Sequence, residues 1–227
     1  MSWMCSGTSN KELIANLWRQ GLLKTPRVKE AFEKVDRAHF SPLGPYEDSP
    51  QRIGYDATIS APHMHAQATE ALAHRLKPGA KVLDIGSGSG YLTAVFAHLV
   101  SPGGQCVGVE HIPQLCTMSE VNLRKDPVHR AMLENGTMKI IKSDGRLGYP
   151  EGGPYDAIHV GAAAQGFPQA LIDQLKAPGS MFIPVEEGML GTQHIYHVEK
   201  KADGTVEKNK AYGVLYVPLT DAKVHPN

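Results

Sequence analysis

The sequence has few cysteines and no surplus of either charge. Its three cysteines, Cys5, Cys106 and Cys116, are too few and too widely spaced for a disulfide framework or a C-x-x-C metal site. Its 23 basic and 23 acidic residues give a formal net charge of +0, and there is no long basic run. This balance argues against binding nucleic acid through its phosphates. The cysteine usage favours reduced thiols in a cytoplasmic enzyme.

Long apolar runs are also missing. No stretch is long enough to span a bilayer, and residues 1–5 lack the apolar core of a secretion signal. We therefore expect neither a membrane partner nor secretion. With 227 residues, the chain is long enough for a single domain with a full core, over residues 1–227.

The sequence does contain a glycine-rich turn between an apolar run and a helical pattern. Residues 82–90 read Val-Leu-Asp-Ile-Gly-Ser-Gly-Ser-Gly. Glycines in such a turn let backbone N–H groups approach a ligand closely. The third glycine comes one residue too early for the dinucleotide fingerprint G-x-G-x-x-G, and Asp84 would repel a pyrophosphate. A ligand with an ammonium or sulfonium group, such as S-adenosylmethionine, fits this turn better.

Two further carboxylates follow apolar strand patterns. Glu110 ends residues 105–110, about one strand–helix unit past the turn, where a carboxylate can accept hydrogen bonds from both ribose hydroxyls. Asp144 could accept a hydrogen bond from an adenine amino group. Other interpretations stay open: Asp84 could cap a helix, Glu110 could be a solvated strand end, and Asp144 could form an Asp-Gly turn. The order and spacing of the carboxylates favour an adenosyl-ligand site.

Strand and helix patterns alternate from residue 81 onward. This alternation predicts right-handed βαβ units and a mostly parallel sheet covered on both faces. The expected segments are 81–85, 91–100, 105–110, 113–124, 138–143, 155–160, 168–176 and 180–185. Residues 193–199 and 212–217 alternate apolar and polar positions and are expected to pair as antiparallel edge strands.

The first part of the chain has a different pattern. Helices are expected at residues 11–20, 26–35 and 64–76, whereas residues 40–62 look irregular. The predicted fold class is therefore α/β, a doubly wound Rossmann-like sheet preceded by helices. Within the single domain, residues 1–78 would form a helical, substrate-binding region and residues 79–227 a cofactor-binding core.

Residues 54–65, Gly-Tyr-Asp-Ala-Thr-Ile-Ser-Ala-Pro-His-Met-His, lie just before this core. By itself the segment allows a plain interpretation, in which Ser60 caps the next helix and His63 and His65 lie on the surface. A zinc site would need more ligands than these two histidines, so no metal is expected.

Six segments of the chain carry a family pattern: residues 48–54, 57–65, 83–90, 144–146, 154–164 and 216–221. Together they resemble the protein-L-isoaspartate (D-aspartate) O-methyltransferases, within the class I methyltransferases that use S-adenosylmethionine. The Thr-Ile-Ser-Ala-Pro-His and Val-Pro-Leu-Thr-Asp stretches are far more specific than the glycine-rich turn. Two features depart from the family: Glu110 stands where members often have Asp, and residues 184–188 are more acidic than usual.

The resemblance implies a reaction. S-adenosyl-L-methionine would donate a methyl group to the free α-carboxylate of an L-isoaspartyl residue in a damaged protein or peptide, leaving S-adenosyl-L-homocysteine. The ester would then cyclise to a succinimide, which begins repair. Ser60 would be the catalytic residue, as a hydrogen-bond donor to the acceptor carboxylate. The implied cofactor-binding residues are Ala57, Thr58, Ile59, Ser60, His65, Asp84, Ile85, Gly86, Ser87, Gly88, Glu110, His111, Asp144, Gly145 and Thr220.

Other functions remain open from the sequence. One is a class I methyltransferase that acts on a small molecule, and another is a non-catalytic module that binds an adenosyl ligand. We expect a monomer, because the substrates are other proteins and the site must stay open to them. Since the acceptor carboxylate is already an anion near neutral pH, alignment rather than a general base is expected to drive transfer.

Overall fold

The helices begin where the sequence provides suitable first residues. The computed structural model describes residues 5–188 and 191–219. Proline, whose fixed φ suits the first turn, stands at the start of four helices. Ser9 and Asp126 cap two helices by accepting hydrogen bonds from backbone N–H groups. The helices are α1 (Asn10–Arg19), α2 (Pro26–Glu33), α3 (Pro62–Leu72), α4 (Tyr91–Val100), α5 (Pro113–Leu123), α6 (Pro127–Glu134) and α7 (Gln169–Gln174).

Most strands belong to one twisted sheet. The strands are β1 (Gln51–Gly54), β2 (Ala57–Ile59), β3 (Lys81–Ile85), β4 (Gln105–Glu110), β5 (Met138–Lys142), β6 (Tyr155–Val160), β7 (Ala164–Gln165), β8 (Leu175–Glu187), β9 (Thr192–Lys200) and β10 (Val206–Val214). The sheet order is β10-β9-β8-β6-β3-β4-β5, with β7 beside β8, while β1 and β2 form a separate hairpin. Pairing is parallel from β8 to β5 and antiparallel at β8–β9 and β9–β10. The predicted fold class is confirmed.

Several boundaries differ from those predicted. The second edge strand is β10 at Val206–Val214 rather than residues 212–217, because its pairing with β9 continues through polar positions. Helix α7 is shorter than predicted, and β8 already begins at Leu175. The segment that looked irregular contains the β1–β2 hairpin, and α6 lies in a stretch without a predicted element.

Apolar side chains cover both faces of the sheet. One cluster packs α1, α2 and α4 together around Phe32, Phe40 and Tyr91. The other cluster includes Ile158 and Leu171 and packs α7 against the opposite face. This arrangement brings the carboxyl ends of β3, β4 and β5 to the same edge, where ligands bind in open α/β sheets. In the described part of the chain, no helix is both long enough and apolar enough to cross a membrane.

Candidate active site

The glycine-rich turn links β3 to α4 through left-handed backbone. Gly86, Gly88 and Gly90 have φ angles of 73°, 51° and 87°, which residues with a Cβ atom adopt at a cost. The Gly86 N–H donates to the Val109 carbonyl at 2.8 Å. The turn is thereby held against β4, with its backbone exposed to the adjacent cavity.

Asp84 is buried directly beneath this turn. Its side chain is 1% exposed and accepts hydrogen bonds from the Thr93 hydroxyl at 2.6 Å and from His159 Nδ1 at 2.8 Å. It lines a small cavity together with Ser60 and His65. The helix-cap interpretation of Asp84 is wrong, since Gly90 occupies the N-cap of α4. The carboxylate is oriented by its two partners toward a polar cavity.

Glu110 forms the floor of a larger cavity. It is 4% exposed, so it is not a solvated strand end. Its Oε1 accepts from the N–H groups of His111 and Ile112 at 2.8 and 3.0 Å, and its Oε2 accepts from the Gly88 N–H at 3.1 Å. Each carboxylate oxygen has two lone pairs, so Oε2 can accept a further hydrogen bond from a ligand.

The larger cavity has an empty volume of about 890 Å³, including its open mouth. Of the sequence-predicted cofactor residues, it is lined by Ala57, Thr58, Gly86, Gly88, Glu110, His111 and Gly145. The smaller cavity beside Asp84 adds Ile59, Ser60, His65 and Ser87. The structure therefore brings most of the predicted residues together.

The remaining predicted residues lie differently. Ile85 is buried in the apolar cluster on one face of the sheet. Asp144 follows β5, and its carboxylate accepts from the backbone N–H and guanidinium of Arg146. The hydrogen bond from Arg146 is the main cause that lowers the pKa of Asp144. Its contact with adenine stays a prediction, and Thr220 lies outside the described residues.

Ser60 lies at the mouth of a second, open groove. His63, Met64 and Gln67 of α3 line this groove on one side, and residues 212–217 line it on the other. Ser60 is not a helix cap, because the N-cap of α3 is Ala61 and makes no side-chain cap bond. His63 and His65 are not free surface residues. Asp48 accepts from His63 Nδ1 at 2.8 Å, and His65 is 8% exposed.

Sequence reasoning missed several residues of the site. Tyr55 and Asp56 line the larger cavity with φ angles of 53° and 57°, and left-handed backbone outside glycine is typical of functional turns. Arg37 and His159 contact Ser60 and Asp84, respectively. The Gly-Tyr-Asp sequence at residues 54–56 was the available signal for the turn. No sequence signal identified Arg37 as buried.

Residues 184–188 are more acidic than is usual in the family, but the charge of Glu187 is partly neutralised. Glu187 accepts hydrogen bonds from Lys210 Nζ at 2.6 Å and from the Tyr196 hydroxyl, and His194 Nδ1 lies 3.2 Å away. The hydrogen bond from Lys210 is the main cause that lowers the pKa of Glu187. The extra negative charge is therefore offset locally.

The residues around the two cavities offer S-adenosylmethionine suitable hydrogen-bond partners. Positive φ at Gly86 and Gly88 allows close approach of a ligand to the backbone. Glu110 can accept from ribose hydroxyls, and Asp84 can face an ammonium group. The Ser87 hydroxyl is buried and has no hydrogen-bond partner among the described residues, as expected of a group that contacts a ligand.

Comparisons with known proteins agree with this geometry. The family model described as protein-L-isoaspartate(D-aspartate) O-methyltransferase matches residues 8–224. The chain is 50% identical to a Caenorhabditis elegans protein-L-isoaspartate O-methyltransferase, over 97% of this chain and 96% of that protein. It is 49% identical to the Triticum aestivum enzyme of the same name, over 93% and 91%.

Solved structures give the same result. A Plasmodium falciparum protein described as a protein-L-isoaspartate O-methyltransferase, in complex with S-adenosyl-L-homocysteine, superposes with a TM-score of 0.86 and 35% identity. The match covers 94% of this chain and 99% of that one. The fold and site thus define a class I methyltransferase. The chain belongs to the protein-L-isoaspartate(D-aspartate) O-methyltransferase family, which confirms the family, enzyme class and cofactor predicted from the sequence.

Proposed function

We propose that Ser60 orients the acceptor where the cofactor cavity meets the open groove. The supporting observation is that Thr58, Gly161 and Val217 line both spaces. A methyl donor in one space and a peptide carboxylate in the other would therefore face each other across a short gap. As a member of its family, the protein transfers a methyl group from S-adenosylmethionine to the free α-carboxylate of L-isoaspartyl residues.

Alignment is the main demand of this chemistry. When bound, S-adenosylmethionine supplies an electrophilic methyl group on its sulfonium sulfur. The acceptor carboxyl titrates near 3.5–4 and arrives as an anion, so no residue has to remove a proton. Ser60 donates a hydrogen bond to one carboxylate oxygen and leaves the other directed toward the donor. Glu110 and Asp84 hold the donor in place, and the resulting proximity and orientation supply catalysis.

The same arrangement supports a single domain over residues 1–227 in which one region binds the substrate and the other binds the cofactor. Residues 1–78 supply β2, α3 and one wall of the groove, and residues 79–227 supply the carboxylates and the glycine-rich turn. Residues 212–217, near the C-terminal end of the second region, form the other wall of the groove. The His111 and Gly145 backbones would contact the adenosyl part, as would Ala57, Thr58 and Ile59.

We also propose that the protein acts as a monomer in the cytoplasm. Its groove is bordered by exposed apolar side chains, with Leu215 at 94% exposure and Val217 at 40%, and a protein substrate needs that surface open. The described cysteines are all free thiols. Light scattering after gel filtration measures the oligomeric state, and fractionation of cells measures the compartment.

A paired-peptide assay tests the proposed function. Two peptides that differ only in an isoaspartyl or aspartyl linkage are incubated with S-adenosylmethionine and the enzyme. Methyl transfer to the isoaspartyl peptide alone is the expected result. Equal transfer to both peptides, or to neither, contradicts the proposal.

Ser60→Ala provides the matched variant for this assay. Because the partner of Ser60 is the acceptor, turnover should fall by roughly tenfold or more, the equivalent of one lost hydrogen bond to a charged group of about 1.5–3 kcal/mol. Affinity for S-adenosylhomocysteine, measured by calorimetry, should change much less. Unchanged turnover, or equal losses in turnover and affinity, would show that Ser60 has only a structural role.

A further inference from the structure

Arg37 is a fully buried charge beneath the candidate active site. Its side chain is 0% exposed and lies in a short 3-10 turn, Arg37–His39, between α2 and β1. No carboxylate of the described residues lies within ion-pairing distance of its guanidinium, although Asp48 is near enough to favour its charged form. Burial lowers the pKa of Arg37 to about 10, so the group is charged at neutral pH. Buried charges are costly unless they are paired, so this one needs an explanation.

The guanidinium contacts two residues of the site. Arg37 Nη2 donates to the Ser60 carbonyl at 2.8 Å, and Nη1 lies 3.3 Å from His65 Nδ1. The guanidinium also lies over the Tyr91 ring, 5.1 Å from its centroid. The Arg37 side chain thereby holds Ser60 and His65 in place, although they lie 23 and 28 residues away from it in the sequence.

These contacts define the state of the His65 ring. A guanidinium has only donors, so the His65 Nδ1 that faces it must be an unprotonated acceptor. The neutral ring then has its proton on Nε2, which has no hydrogen-bond partner among the described residues. His65 lines the small cavity with Ser60, Asp84 and His159. The Ser60 hydroxyl is also without a partner within the described ranges, so it and His65 Nε2 join the Ser87 hydroxyl as donors in this cavity that have no partner.

The surroundings of His65 keep it neutral. Burial first, and then the charge of Arg37, lower the pKa of His65 well below its ordinary value of 6.5. His159 on β6 and His63 on α3 act in the same direction. Tyr91 on α4 packs against the ring with centroids 5.3 Å apart, and Asp84 on β3 shares the cavity. Arg37 is the fixed cation among these groups.

We infer that Arg37 is a positioning residue for a carboxylate bound in this cavity: it anchors the Ser60 backbone and holds His65 as the neutral Nε2–H tautomer. The inference rests on the proposed function, because the carboxylate belongs either to the methionine part of the cofactor or to the isoaspartyl acceptor. The bound anion also offsets the buried charge of Arg37. This assigns a role to a side chain that contacts neither substrate.

Nitrogen NMR of the ligand-free protein tests the tautomer without any activity measurement. In the wild-type protein, His65 should have a protonated Nε2 and a bare Nδ1 at neutral pH, and it should stay neutral at pH values where an ordinary histidine, with a pKa near 6.5, is already protonated. In Arg37→Gln, the midpoint of His65 protonation should move to higher pH, because the nearby positive charge is gone. A wild-type ring protonated on Nδ1, or an unchanged titration in Arg37→Gln, overturns the inference even if methyl transfer is as proposed.

Binding measurements then identify which carboxylate is held. A loss of about tenfold or more in affinity for S-adenosylhomocysteine in Arg37→Gln, with unchanged affinity for 5′-methylthioadenosine, assigns the methionine carboxylate. A similar rise in the KM for the isoaspartyl peptide, with cofactor affinity kept, assigns the acceptor. If neither quantity changes, the inference is wrong.

Two further variants control for folding. Arg27→Gln is the matched control, because the Arg27 guanidinium also bonds to two acceptors, here the carbonyls of Ala73 and Leu76, just beyond the C-terminal end of α3. It should leave the His65 titration and both affinities unchanged. Arg37→Lys keeps the charge but cannot reach both partners, so His65 should stay neutral while turnover falls. If Arg37→Gln does not fold, an upward shift of the His65 titration in Arg37→Lys would contradict the inference.

Discussion

Glu110 is a buried carboxylate whose orientation is fixed by the backbone around it. Three backbone N–H groups fix its orientation in a buried position, and one of them comes from the glycine-rich turn itself. The side chain therefore joins the carboxyl end of β4 to the turn that follows β3. A ligand that bonds to Glu110 finds the turn already positioned, which reduces the ordering cost of binding.

Replacing Glu110 with Gln should weaken cofactor binding. The amide has about the same size, but one of its two positions is a donor, which cannot accept from a ribose hydroxyl or from the Gly88 N–H. We expect a loss of about 1–3 kcal/mol, or roughly tenfold to a hundredfold in affinity for S-adenosylhomocysteine by calorimetry. Glu110→Asp is the control and should retain most of the affinity. Wild-type affinity in Glu110→Gln, with the fold intact, would exclude a ligand contact.

At the scale of elements, α6 depends on a single side chain at its start. Asp126 accepts hydrogen bonds from the N–H groups of Val128 and His129 at 2.7 and 3.2 Å, and Pro127 occupies the first helical position. The helix has eight residues and buries only His129. Helices this short are marginal without such a cap.

Asp126→Ala should therefore destabilise the protein by about 1 kcal/mol, the usual cost of removing an N-cap. Asp126→Asn should lower the free energy of unfolding by only a few tenths of a kcal/mol, since asparagine is about as good an N-cap as aspartate. Urea unfolding of the three proteins measures the difference. Equal losses in both variants would mean that the charge of Asp126, rather than its cap, stabilises α6.

The elements that the sequence predicted well are those with a strong local signal. Strands β3, β4 and β6 are buried apolar runs, and glycines or charged residues mark their ends. Helix α6 was missed although Asp126-Pro127 is a helix-start pattern, because few of its residues are buried. Strand β10 was misplaced because its exposed residues, such as Lys208 and Lys210, show no apolar alternation. Its position is set by pairing with β9, a contact that local sequence does not encode.

The site was predictable to the extent that its residues lie in glycine-rich or motif-bearing segments. The carboxylates Asp84 and Glu110 follow strands, and the topology of the sheet brings them to one edge. Arg37 could not be found in this way. Arg37 is buried against Ser60, His65 and Tyr91, which are distant in sequence, whereas a charged residue in a sequence is by default expected at the surface.

At the scale of the whole molecule, burial of histidines links stability to acidity. His98 on α4 and His129 on α6 face each other with their Nε2 atoms 3.0 Å apart. At most one proton can lie between the two nitrogens. Burial, followed by the charge that His129 would carry, lowers the pKa of His98 to about 4, and burial also lowers the pKa of His129. The folded protein thus holds a neutral pair between two helices that the unfolded chain would release to water.

The protein should therefore lose stability as the pH falls from about 6.5 to about 4. In this range His98 is protonated in the unfolded chain but not in the folded protein. The free energy of unfolding therefore decreases by up to about 1.4 kcal/mol per pH unit for each such histidine. Above pH 6.5 both states are unprotonated and this contribution is flat. Urea unfolding at several pH values measures the slope, which should be shallower in His98→Gln. A loss of packing in that variant lowers the free energy of unfolding by the same amount at every pH and leaves its slope against pH unchanged. Parallel curves for the two proteins would show that the pair does not couple folding to acidity.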